Sequence, residues 1–246
     1  MKGEPTVIEG NRPHIWTERV AHGPQSLFSV LSIALLAAVS WAAQVLFGNL
    51  ALPFGLFILT TGVALRGMMV HYPHPTLGMG NGVTLIRAAL VALLAGAIMA
   101  PNPADWAVFA LACVAFALDG LDGWCARRSG LTSAFGARFD MEIDALLAAV
   151  LAIILLADGH VGAEILFLGF TRYAFVIASL FLPKLRGSLP DSLRRKAICV
   201  VQIAALITLL CPLTPMWLMS PLSWAAAGLL LWSFARDTRW LLGPSG

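Results

Sequence analysis

Four aspartates, Asp119, Asp122, Asp140 and Asp144, fall within 26 residues of a 246-residue chain that carries only 13 acidic residues in all. They sit at the edges of two long apolar runs, where a carboxylate is costly and needs a partner. Clustering adds mutual repulsion, which a divalent cation relieves. The chemistry open to such a set is oxygen-ligated metal binding and, through it, reactions of phosphate. Spacings of i, i+3 and i, i+4 put each pair on one helical face. The short link at 128–136 makes the two helices antiparallel neighbours, so the faces can converge on two ions. Gly120, Gly123, Ala126 and Gly136 are small enough to admit a ligand or a neighbouring helix. Arg127 sets a fork of donors beyond Asp122, a shape suited to phosphate; taken singly, Arg127, Arg128 and Arg138 also fit plain topology anchors. Glu142 lies about a third of a turn off the Asp140–Asp144 face and reads as peripheral.

The elements that must hold these residues are membrane helices. With 59% hydrophobic and 12% charged residues and a mean hydropathy of +0.83, the chain has too little polar surface to coat a water-soluble body. This is the composition of an all-α integral membrane protein whose partners include membrane lipids, with nothing to suggest a nucleic-acid binder. Spans of about 20 apolar residues are expected near 27–48, 51–70, 82–100, 104–124, 140–158, 161–183, 196–213 and 216–236, with seven spans as the alternative count. Placing the N-terminus in the cytoplasm puts every Lys and Arg except Arg172 on the inner side, Arg66 and Arg87 among them at helix ends. The outer turns near 49–50, 101–103, 159–160 and 214–215 hold no Lys or Arg. The positive-inside rule thus places both termini and all four aspartates at the cytoplasmic face. Cys113, Cys125, Cys199 and Cys211 form no CxxC pattern and read as reduced packing residues.

Three regions are expected: a polar, interfacial segment at 1–25, a transmembrane helix pair at 26–75, and a membrane domain at 76–246. The Pro- and Gly-bearing stretch 71–81 marks the division between the last two. The leading pair reads as an appendage to a six-helix core.

The string from Asp119 to Asp144 resembles the signature of the CDP-alcohol phosphotransferases, D-x2-D-G-x2-A-R-x8-G-x3-D-x3-D. Asp119, Asp122, Gly123, Ala126, Arg127, Gly136, Asp140 and Asp144 occupy every defined position. The run NGVTLIR at 81–87 is similar to the N-x-x-T-x-x-R opening of that family's first core helix. The resemblance implies a six-helix catalytic core, here preceded by two extra helices. It implies transfer of a substituted phosphoryl group from a CDP-linked donor, CDP-diacylglycerol foremost, to a small polar acceptor alcohol, with release of CMP. Two Mg2+ or Mn2+ ions follow from it, one on Asp119, Asp122 and Asp140, the other on Asp119, Asp140 and Asp144. It further implies Asp144 as general base and contacts to the CDP moiety from Gly123, Arg127 and Ser133, with Asn81 and Thr84 helping. Ala126 and Gly136 are counted with that nucleotide site. A homodimer, a bacterial inner membrane and a role in phospholipid biosynthesis complete the expectation.

For the acceptor, Arg172 within the sixth span and Arg194, Arg195 and Lys196 at the start of the seventh could bind a phosphate. Such a pocket favours a phosphorylated alcohol, while 194–196 also fits a positive-inside anchor. Two rival classes have distinct signatures. An intramembrane prenyltransferase uses paired aspartates but gives no reason for the intervening G-x2-A-R-x8-G. A divalent-cation transporter expects acids near the midplane and broken helices, not acids at one face beside arginines.

Overall fold

The computed structural model describes residues 23–100, 105–182 and 193–242; the side chains of Asp122, Trp124, Ala126, Leu193, Lys196 and Leu242 lie outside that description. The described residues form eight α-helices and no strand: α1 (Pro24–Phe47), α2 (Ala51–His71), α3 (Met79–Leu94), α4 (Asp105–Ser129), α5 (Ala134–Asp158), α6 (Ile165–Phe181), α7 (Leu193–Leu210) and α8 (Met216–Leu242). A 3-10 turn, Ala95–Met99, prolongs α3. The interfacial segment expected at 1–25 falls almost wholly outside the described residues.

Among the described residues, four segments are long and apolar enough to cross a bilayer: α1, α2, α3 with its 3-10 extension, and Met216–Leu241 of α8. Three of them precede the acidic segment. Such lengths and compositions belong to an integral membrane protein. The others are shorter or diluted by charge, α5 most visibly, with Arg138, Asp140, Glu142 and Asp144 in its first three turns.

Burial separates the helices by role. In the most apolar window of α3, 67% of residues are buried within the protein, against 17% in α1. Helix α3 is therefore the central post and α1 a peripheral helix. It packs most extensively on α4 and also on α5, while α5 packs on α6. The core between them is aliphatic, with Leu85, Leu94, Leu147, Leu151, Ile165 and Leu168 shut off from the surface. Outward, Ile33, Trp41, Leu180 and Trp217 stand exposed, as hydrocarbon-facing side chains do.

The leading helix pair is docked rather than appended. Helices α1 and α2 both pack on α3, and α2 reaches α5. Phe28 of α1 meets Phe139 of α5 edge-on at 6.1 Å, and Phe139 stacks on Phe135 at 5.8 Å. The 72–78 connection is pinned to the same place: Tyr72 packs against Phe135 at 5.8 Å, and its hydroxyl accepts from Gly78 N–H and donates to Thr76 O, both at 2.9 Å. His74 Nε2 lies 3.0 Å from Thr132 O. The hydropathy break at 71–81 is thus a structured strap lying against the short link between α4 and α5. Hydropathy could divide the chain there, but it carries no information on whether two apolar segments pack.

At the opposite end, Glu164 is buried at the start of α6 and accepts from Ser223 Oγ of α8 at 2.9 Å and from Gly162 N–H at 3.1 Å. That lock ties α6 to α8 far from the aspartates. The cysteines are free thiols, as their spacing suggested.

Candidate metal centre

Helix α4 ends at Ser129 and α5 begins at Ala134, so the link is shorter than the 128–136 expected from hydropathy. Two local signals explain it. Gly130 adopts φ +67, the left-handed conformation that ends helices. Ser133 then caps α5, its Oγ accepting from Gly136 N–H at 3.0 Å. Four residues, 130–133, connect the helices, and their acidic faces meet.

Asp119, Asp140 and Asp144 each offer a carboxylate oxygen, and the three oxygens lie within 4.8 Å of one another. Two carboxylates at that distance repel by about 3–4 kcal/mol at an effective dielectric near 20, more than an exposed ion pair returns. The arrangement needs positive charge. Its donor set, hard anionic oxygens only, fits hard divalent cations such as Mg2+, Mn2+ or Ca2+ and suits neither thiolate- nor imidazole-seeking metals. The side chain of Asp122 lies outside the described residues.

One cation inside the cluster belongs to the protein. Arg87, wholly buried on α3, pairs through Nη2 with Asp119 Oδ1 at 3.1 Å and with Asp144 Oδ1, and through Nη1 with Asp140 Oδ1. Its Nε donates to the Ala115 carbonyl of α4 at 3.2 Å. Sequence reading placed Arg87 with the cationic helix ends; the correction is that it lies eight residues into α3, about 12 Å along the helix axis. The available signal was its register with Asn81 and Thr84, which put all three near one stripe of α3.

Asn81 and Thr84 are buried on that stripe. Thr84 Oγ1 donates to Gly80 O at 3.0 Å. Asn81 faces the start of α5 so closely that a Cβ on Gly136 would come within 2.8 Å of Asn81 Oδ1. Gly136 is glycine because α3 and α5 touch there. Arg127 is exposed, makes no ion pair among the described residues, and lies back over Gly123, its Nη1 3.1 Å from where a Cβ would project. The side chain of Ala126 falls outside the described residues. Asn81, Ser133 and Gly136 thus meet where α3 touches the start of α5, one turn before Asp140 in that helix.

The arginines farther along are engaged elsewhere. Arg172 of α6 pairs with Glu142 and reaches Met141 Sδ at 2.9 Å, its Nε buried without a hydrogen-bond partner. Glu142, read as peripheral to the metal pair, has this pairing as its role. Arg194 of α7 donates to Ser233 Oγ at 2.8 Å and pairs with Asp237 of α8. The Lys196 side chain lies outside the described residues.

A family model for the CDP-alcohol phosphatidyltransferases matches residues 77–232. No solved structure matches the chain. The matched region runs from the strap before α3 into α8 and encloses Arg87, all four aspartates and Arg127. Covering well over half of the chain, it makes this protein a member of the CDP-alcohol phosphatidyltransferase family, an enzyme that transfers from a CDP-alcohol donor to an alcohol acceptor in phospholipid synthesis.

Proposed function

We propose that the enzyme moves a phosphatidyl group from CDP-diacylglycerol to a small, phosphorylated polar alcohol, at the cytoplasmic face of a bacterial inner membrane. The supporting observation is the convergence of Asp119, Asp140 and Asp144 within 4.8 Å; farther along α4 the exposed Arg127 pairs with no carboxylate among the described residues. Two divalent ions, Mg2+ or Mn2+, would be held by Asp119, Asp122, Asp140 and Asp144, and when bound they supply charge neutralisation for in-line displacement at phosphorus.

The protein's own groups do the rest. Arg127 holds the donor's diphosphate with its fork of N–H donors. Asn81, Thr84, Gly123, Ala126, Ser133 and Gly136 form the cradle in which the CDP moiety is oriented. Asp144 takes the proton of the acceptor hydroxyl as its oxygen bonds to the phosphatidyl phosphorus; the bond from that phosphorus to the bridging oxygen breaks, and CMP leaves. Arg172 is the proposed direct contact for the acceptor phosphate, with Arg194 and Lys196 lending positive charge to the acceptor site. The unsatisfied Nε–H of Arg172 supports this, and binding requires Arg172 to exchange Glu142 for the ligand.

The domain organisation proposed with this activity is a 76–246 catalytic domain of six helices, a 26–75 helix pair shoring its acidic end, and an N-terminal segment at 1–25, both termini facing the cytoplasm and the enzyme working as a homodimer.

The test is CMP release by purified protein given CDP-diacylglycerol, Mn2+ or Mg2+ and a panel of acceptors that includes glycerol 3-phosphate and inositol phosphate. Asp144→Asn should lower turnover by about 10^2–10^4-fold, the range for loss of a general base, while CDP still binds. Folded protein that releases no CMP with any acceptor would sink the donor assignment, and wild-type turnover in Asp144→Asn would remove Asp144 from the base role.

A further inference from the structure

We propose that Arg87 is a built-in counter-cation: it holds the three aspartates together while no metal is bound and opposes metal binding as ions arrive. The proposal rests on the metal site described under Proposed function and adds a positioning residue to it.

The first ground is exposure. The Arg87 side chain is 1% exposed, whereas Asp119, Asp140 and Asp144 are 29%, 35% and 28% exposed. The carboxylates keep contact with water; the guanidinium does not. A charge so thoroughly desolvated is tolerable only if its partners are fixed around it. Its partners here are the candidate metal ligands themselves.

The second ground is reach. Through Asp119 and the Ala115 carbonyl the guanidinium grips α4, and through Asp140 and Asp144 it grips α5, while its own backbone is α3. One side chain thereby spans the three helices that build the site. Planar, with five donors in a fixed fork, arginine can serve several carboxylates at once, as a lysine ammonium cannot with the same geometry.

The consequence is a linkage. With Arg87 present, the metal-free site is already assembled, and each arriving ion meets a positive charge that holds the same three acids. Without it, the metal-free site is a set of mutually repelling carboxylates whose relief falls wholly to the metal. Removing Arg87 must then destabilise the metal-free protein more than the metal-loaded one. By mass action the same change must tighten metal binding to the folded state. A residue acting by packing alone would lower both forms equally.

The experiment uses the full-length protein in detergent without donor or acceptor. Thermal unfolding of wild type and Arg87→Met is followed in EDTA and in saturating Mn2+, and Mn2+ affinity is read by electron paramagnetic resonance of the free ion. In Arg87→Met the Mn2+-induced rise in Tm is expected to exceed that of wild type by about 3–6 °C, with Mn2+ bound about tenfold more tightly. Equal loss of Tm in EDTA and Mn2+, with unchanged Mn2+ affinity, would overturn the proposal while leaving the metal site intact. Absence of Mn2+ binding in wild type would instead overturn the metal site, and the proposal with it. Should Arg87→Met fail to fold under both conditions, the double variant with Asp119→Asn, which removes one repelling charge, is expected to recover a folded protein. Its continued failure would assign Arg87 to packing and overturn the proposal.

Discussion

The two ends of the arginine-bearing surface solve the same problem in opposite ways. Around α3, α4 and α5, one guanidinium serves three carboxylates and is sealed from water. Around α6, α7 and α8, two arginines take one carboxylate each, Arg172 with Glu142 and Arg194 with Asp237. The Arg172 pair is the looser: the Arg172 and Glu142 side chains are 30% and 48% exposed. The first arrangement leaves an excess of negative charge among the described side chains and calls for more cations. The second is balanced, so it requires nothing further to persist. But an exposed pair is worth only about 0–1 kcal/mol, and a phosphate can take the arginine from it. Unequal sharing marks where a metal can bind, and weak equal sharing marks where an anion can.

The sharpest structural break of the acidic end, after loss of Asp144 itself, is Gly136→Ala. The new methyl would stand 2.8 Å from Asn81 Oδ1, and Asn81 is buried with little room to turn. Either Asn81 leaves the proposed nucleotide cradle or α3 and α5 part. Overpacking of this kind costs about 1–3 kcal/mol, which for a chain of this size is a fall in Tm of roughly 2–10 °C. Turnover should fall further than stability suggests, by about 10–100-fold, because displacing reacting groups by about 1 Å is costly. Wild-type kinetics in Gly136→Ala would show that the α3–α5 contact is not what orients the donor.

Much of this end could be read from residue spacing. The spacing of Asp119, Asp140 and Asp144 announced facing carboxylates, and the apolar runs announced the eight helices of the described residues. Arg87 was not legible in the same way. An arginine eight residues into a helix of otherwise apolar and small residues satisfies a topology rule that counts charges without depth. Only its distance from the helix start, and its register with Asn81 and Thr84, separate it from an anchor. Glu142 shows a related limit: helical phase says that it points away from Asp140 and Asp144, but not that Arg172 waits on the neighbouring α6. The docking of α1 and α2 was invisible because packing between apolar helices depends on shape. Phe28 meeting Phe139 leaves no trace in hydropathy.

At the balanced end, Arg172→Met tests whether the exposed pair yields to an acceptor. A charged hydrogen bond to phosphate is worth about 1.5–3 kcal/mol, so KM for a phosphorylated acceptor should rise about tenfold or more, with Mn2+ affinity unaltered. Glu142→Gln should act in the opposite sense, lowering KM severalfold by releasing Arg172. If neither variant moves KM, the pair is a structural tie between α5 and α6, and acceptor recognition lies elsewhere.

The smallest effect is expected at Arg194. Its partner Asp237 is 12% exposed and Arg194 itself 26%, and Ser233 supplies a second acceptor at 2.8 Å. The guanidinium also lies 5.6 Å from the centre of the Trp232 ring, so it is held from three sides and less exchangeable than Arg172. Its work on this geometry is to tie the start of α7 to the last turns of α8. Arg194→Met should lower Tm by about 2–4 °C, roughly 1 kcal/mol, and raise acceptor KM less than threefold. An acceptor KM that rises as steeply as in Arg172→Met would mean that Arg194 gives up Asp237 for the phosphate. The contrast between a fixed pair on α7 and an exchangeable one on α6 would then disappear, leaving burial of the carboxylate partner a poor guide to which arginine a ligand can take.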